Sequence, residues 1–119
     1  MNSENTKELV FDIAQNSASL HISADIYLRI LEKAVEQTKN DIADLEKAIP
    51  VDDFEKIRAI AHRLKGDYDN MRISALSLLA KEMNEIAKTI KDKERLSGLV
   101  REFSTLFDQL KEKITKPKT

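Results

Sequence analysis

The 119-residue chain contains no cysteine and no tryptophan, and only two glycines and two prolines. Without cysteine it has no disulfide, no thiolate nucleophile and no Cys-based zinc site. Two glycines supply no Gly-rich loop to cradle phosphates, which argues against a self-contained NTPase or kinase. Neither sign of charge dominates: 20 Lys and Arg against 21 Asp and Glu leave a net charge of −1 with both histidines neutral. Nucleic-acid binders usually carry a strong basic excess, so no nucleic-acid partner is expected. No apolar run approaches the roughly 18–20 residues of a membrane span, and the first residues lack the basic-then-apolar order of a signal peptide. A cytoplasmic protein without membrane insertion is expected, although a domain cut from a larger membrane protein would have the same composition.

Apolar residues make up 41% of the chain, enough for a packed core, and the length suits one domain over residues 1–119. Their spacing is helical. Leu31, Val35, Thr38, Ile42, Leu45 and Ile49 step by three and four, as do Phe54, Ile57, Ala61, Leu64 and Tyr68. Two further stripes run Leu76, Leu79, Met83, Ile86, Ile90 and Leu96, Leu99, Phe103, Leu106, Leu110. Each is one face of an amphipathic helix. The pattern predicts an all-α fold, an antiparallel four-helix bundle over about 22–115. A short leading helix is expected over about 5–16, where Leu9, Val10, Ile13 and Ala14 fall at helical spacing, and residues 116–119 form a flexible tail.

The breaks have local causes. Ser23 can cap a helix that begins near Ala24. Pro50 disfavours helical geometry at Ile49. Asp52 with Glu55 forms a capping-box-like start for the next helix. A polar stretch places the following break around Asp69 and Asn70, and residues 91–94, which contain no apolar side chain, mark the last turn. One bundle accounts for all the stripes, so a monomer is expected.

Two histidines offer chemistry. His21 lies just before the Ser23 cap and is expected to pack its ring at the bundle end. His62 lies well over 100° from the centre of the Phe54–Ile57–Ala61–Leu64 face at about 100° per residue, so it projects into solvent from mid-helix. Gly66, at i+4, removes the side chain that would cover the imidazole, although a glycine inside a helix costs roughly 1 kcal/mol relative to alanine. Lys65 at i+3 and Arg58 at i−4 can reach an anion attached to the ring, and Asp69 at i+7 shares the face. An accessible imidazole, a clearance and flanking cations suit a nucleophile that carries a phosphoryl group. Taken alone, the constellation leaves open an incidental surface histidine. Metal and hydrolase readings fare worse. No His-x-x-x-His or Glu-x-x-His spacing occurs, Ala59 occupying the place of the glutamate, and Ser74 and Ser77 read as helix surface.

Ala61-His62-Arg63-Leu64-Lys65-Gly66 reads A-H-x-L-K-G, which resembles the signature of the histidine-containing phosphotransfer (HPt) domains of two-component phosphorelays. Asn70-Met71 continues the likeness, which extends in outline over about residues 8–114. The resemblance implies that His62 is phosphorylated on Nε2, that Lys65 assists the phosphoryl group electrostatically and that Gly66 keeps the site open. It implies a phosphoryl carrier rather than an enzyme, either free-standing or one domain of a hybrid histidine kinase. The partners would be response-regulator receiver domains and a hybrid sensor histidine kinase, with Arg58 and Asp69 on the docking face. No cofactor would be intrinsic, since the receiver supplies the Mg²⁺. Two places depart from the family pattern. Asp67 and Tyr68 stand where small residues are usual, and Arg72 stands where glycine is common. A degenerate module that binds receiver or kinase domains without being phosphorylated is the alternative, and an unrelated helical assembly subunit is the third reading.

Overall fold

The computed structural model describes residues 8–115. Five helices follow one another: α1 Ile13–Ser19, α2 Ala24–Ala48, α3 Phe54–Asn70, α4 Ser74–Lys88 and α5 Lys93–Thr115. No strand occurs among the described residues. Helices α2 to α5 form a closed antiparallel ring in which each packs on the next and α5 returns to α2, while α1 lies against α2. The fold is therefore all-α, as the four stripes require. Their residues fill the interior, with Leu31, Leu45, Ile57, Leu64, Leu76, Met83 and Leu96 wholly buried. Tyr68 and Phe103 meet edge-on across the ring, their centroids 6.0 Å apart, a favourable arrangement for aromatic quadrupoles.

Three boundaries differ from the sequence expectation. Residues 8–12 are not helical, so the leading helix starts at Ile13 rather than near residue 5, and it runs on to Ser19. Asp12 caps it by accepting from the Gln15 N–H. Leu9 is still buried, but in a non-helical segment whose N–H donates to Gln109 Oε1 at 2.7 Å, while Val10 points into solvent. Asp53, not Asp52, caps α3, its side chain accepting from the Lys56 N–H at 3.2 Å. Ile90 lies beyond the end of α4 and is 60% exposed, so the third stripe ends at Ile86. The first expected residues of the leading helix, 5–7, and the expected tail, 116–119, lie outside the described residues.

The connections share a device. His21, Asp52 and Arg72 adopt left-handed backbone, with φ near 60°. In each case the next N–H reaches back to the carbonyl five residues earlier: Ile22 to Ser17, Asp53 to Ala48 and Ile73 to Tyr68. This is the Schellman closure, in which glycine normally occupies the left-handed position. His21 is exposed and sits at that position, so its ring does not pack at the bundle end as the sequence suggested. Nothing in the structure requires a side chain there. His21→Gly is expected to raise stability by about 0.5–1 kcal/mol, the left-handed penalty less the backbone entropy of glycine. Urea unfolding of the two proteins side by side checks this, and an unchanged midpoint would refute it.

Candidate functional site

Helix α3 holds the site because one face is apolar and the other is not. Ile57, Ala61, Leu64 and Tyr68 are buried, which turns His62 outward. His62 is exposed and makes no hydrogen bond or ion pair among the described residues. Arg58 and Asp69, one turn before it and two turns after, are also exposed. A side chain built on Gly66 would meet nothing within 4 Å. The glycine is thus not required by packing inside the bundle, and its one structural effect is to leave the turn above His62 bare. Lys65 is half-buried and lies toward α4. Its backbone carbonyl accepts a hydrogen bond from Ser77 Oγ at 3.3 Å. Ser77 is buried rather than a surface residue, and this contact ties α4 to the turn that carries Lys65 and Gly66.

The flank of α3 facing α2 holds a polar cluster that the apolar pattern did not reveal. Asp41, wholly buried on α2, pairs with the half-exposed guanidinium of Arg63. Gln37 Nε2 donates to the same carboxylate oxygen at 3.2 Å. The other oxygen, Oδ2, is buried without a partner. Asp67 lies beside this pair. Burial pushes its carboxyl above the ordinary carboxylate value, the Arg63 guanidinium pulls it back and the Asp41 charge adds to the rise. A carboxyl raised in the folded state binds protons more readily there than in the unfolded chain. Its ionisation therefore costs stability as pH rises past the unfolded value. Asp67→Asn is expected to raise the melting temperature at pH 7, and the gain should shrink as the pH falls toward 3.5. Paired melts at the two pH values check the sign, and a gain that grew on acidification would overturn it.

Tyr68 and Arg72, the other departures from the family pattern, have structural roles. Tyr68 is fully buried and its hydroxyl lies 2.6 Å from Thr38 Oγ1. Thr38 spends its own proton on the Ala34 carbonyl, so Tyr68 must donate to Thr38. Burial pushes the Tyr68 hydroxyl well above its ordinary value, and the bond to Thr38 opposes that rise. Arg72 takes the left-handed position of the α3–α4 turn, where the family favours glycine. Its Nε donates to Ser19 Oγ at 3.0 Å, and its Nη1 to the Asp69 carbonyl at 3.3 Å. Tyr27 joins the same end of the bundle, donating to the Met71 carbonyl at 2.6 Å and accepting from Asn16.

Among the described residues, no group of three or more His, Cys, Asp and Glu side chains is placed to hold a metal ion. No helix among them is long and apolar enough to cross a membrane. The solvent-facing, unpartnered imidazole beneath a bare turn is the feature that a phosphotransfer histidine needs, and the matching family model is that of the Hpt domain, over residues 29–114. The chain belongs to the Hpt domain family. No curated protein and no solved structure matches the chain. Hpt domains serve histidine phosphotransfer in phosphorelays, where they act with receiver and kinase domains. The match covers all of α3, α4 and nearly all of α5, and leaves α1 outside it.

Proposed function

We propose that this Hpt domain is an active phosphocarrier, accepting a phosphoryl group from a receiver aspartate onto His62 and passing it to another receiver. The observation that carries this reading is the exposure of an unpartnered His62 below a glycine whose missing side chain serves no packing purpose. In the forward step the Nε2 lone pair attacks phosphorus. The bond from phosphorus to the aspartyl oxygen breaks, and the carboxylate leaves with its electron pair. The ring proton stays on Nδ1 until solvent takes it. The neutral form of an imidazole is nucleophilic. Lys65 and Arg58 offset the charge that arrives with the phosphoryl group. The Mg²⁺ comes with the receiver, and this chain contributes the nucleophile and the docking face.

That face has apolar shoulders. Asp41 faces α3, and Ile30, eleven residues before it, falls on the same side of α2, with Ile26 one turn further on. Both isoleucines are about half exposed, at 47% and 48%. On α4, Leu78 is 62% exposed. The degenerate alternative rests on Asp67, Tyr68 and Arg72. None of the three lies on the exposed ridge of His62, Gly66 and Asp69: Tyr68 is in the core, Asp67 faces α2 and Arg72 closes a turn.

The deciding experiment incubates the protein with phosphorylated receiver domains and Mg²⁺ and reads intact mass before and after brief acid treatment. An acid-labile gain supports the carrier. Receiver binding without any gain supports the degenerate module. The docking face has its own test. Gly66→Glu is expected to slow transfer at least about tenfold, through bulk and like charge against the receiver's acidic site. It should leave the fold intact or steadier by about 0.5–1 kcal/mol, since it replaces a helical glycine in open space. Undiminished transfer by this variant would move the docking face elsewhere.

A further inference from the structure

We infer that Lys81, on α4, is a further cation for the phosphoryl group on His62, acting with Lys65 and Arg58 from the opposite side of the α3–α4 seam. The inference rests on the carrier reading above. It starts from the bond between Ser77 Oγ and the Lys65 carbonyl, which fixes the register of two antiparallel helices joined by a three-residue turn. Lys81 follows Ser77 by four residues and so lies one turn further along the same side of α4. Along antiparallel α3, that step runs back from Lys65 to the level of Ala61 and His62.

The flank is fixed as well. Leu76, Ala80, Met83 and Ala87 turn into the core. Glu82 is bonded to Arg95 of α5, 3.0 Å away, which marks the α5-facing side of α4. Ser77 marks the α3-facing side, and Lys81, exposed, lies just outward of it. His62 lies just outward of the seam on α3. The two residues therefore border the same strip of surface.

The two lysines border that strip from opposite helices. Helical side chains lean toward the N-terminus of their own helix. Lys65 thus leans toward His62, and Lys81 leans toward the turn of Lys65 and Gly66. Lys81 makes no ion pair or hydrogen bond among the described residues. Other lysines do: Lys39, Lys93 and Lys111 are each held by a carboxylate. An unengaged ammonium on a flexible four-carbon stem can follow an arriving anion. A phosphoryl group brings a charge of about −1.5 to −2; Lys65 and Arg58 meet it from α3, and Lys81 meets it from α4.

The test needs no receiver. The purified chain is labelled with phosphoramidate: His62 Nε2 attacks phosphorus, the donor's P–N bond breaks and ammonia leaves with a proton. Labelling rate is compared for the parent, Lys81→Glu, Lys65→Glu and Lys88→Glu, the last two turns further along α4. The ring pKa of unlabelled His62 is read by NMR on the same samples. Lys81→Glu is expected to slow labelling about threefold to tenfold and to raise the ring pKa by about half a unit to one unit, as reversal of one nearby charge requires. Lys88→Glu should move both much less. If Lys81→Glu matches the parent in both while Lys65→Glu does not, Lys81 is not at the site and the inference fails. A parent that takes no label on His62 overturns the carrier reading and the phosphoryl role of Lys81 with it. The ring pKa then tells that failure from a misplaced lysine.

Discussion

His62→Gln is expected to abolish acid-labile labelling from every receiver donor while leaving the melt within about 0.5 kcal/mol of the parent. The two halves of this expectation have separate causes. Glutamine has no nucleophilic ring nitrogen, so no N–P bond can form at position 62. The side chain it replaces is exposed and bonded to nothing among the described residues, so the bundle loses no contact. Glutamine is also the better helix former. The natural control is His21→Gln. His21 is exposed too, and it is the one other histidine in the chain. It lies in a turn before α2, without the lysine and the bare turn that accompany His62. Intact mass should show label on the His21 variant at the parent level and none on the His62 variant. Label persisting in His62→Gln would place the phosphoryl acceptor elsewhere.

The four long helices were legible because each has a stripe of period 3.6, and burial of one face leaves little choice of fold. The phase of the α3 stripe also exposed His62, so fold and nucleophile came from one pattern. What escaped the pattern depended on partners distant in sequence or on backbone angles. Leu9, Val10, Ile13 and Ala14 have helical spacing, yet Leu9 donates its N–H to a glutamine one hundred residues away and Asp12 starts the helix after it. Two adjacent acids, Asp52 and Asp53, could each cap α3, and the left-handed φ of Asp52 settles which one does. Asp41 was the one readable clue to the polar cluster, an acid lying three residues after Thr38 and four before Leu45 on the buried side of α2. Its partner Arg63 looked like an ordinary surface residue of the motif. Ser77 carried no signal at all, because its role is to contact a carbonyl of another helix.

Leu64→Asp should have the opposite signature to His62→Gln: the protein is expected to lose its cooperative melt and most of its helical circular dichroism at 25 °C. Leu64 is wholly buried, two residues from the exposed histidine. Removing a buried leucine side chain costs about 2–5 kcal/mol through lost transfer energy and the cavity left behind. The new carboxylate must then either stay charged in an apolar interior or be protonated, which adds several kcal/mol more at neutral pH. Together these rival the roughly 5–15 kcal/mol by which a domain is stable. Leu78→Asp is the matched comparison, since Leu78 is 62% exposed and its loss should shift the melt little. Retention of a parent-like melt by Leu64→Asp would mean that α3 is rotated from its assigned phase. In that case His62 would not face solvent either. The stability of one variant thus tests the same helix rotation on which the exposure of the nucleophile depends.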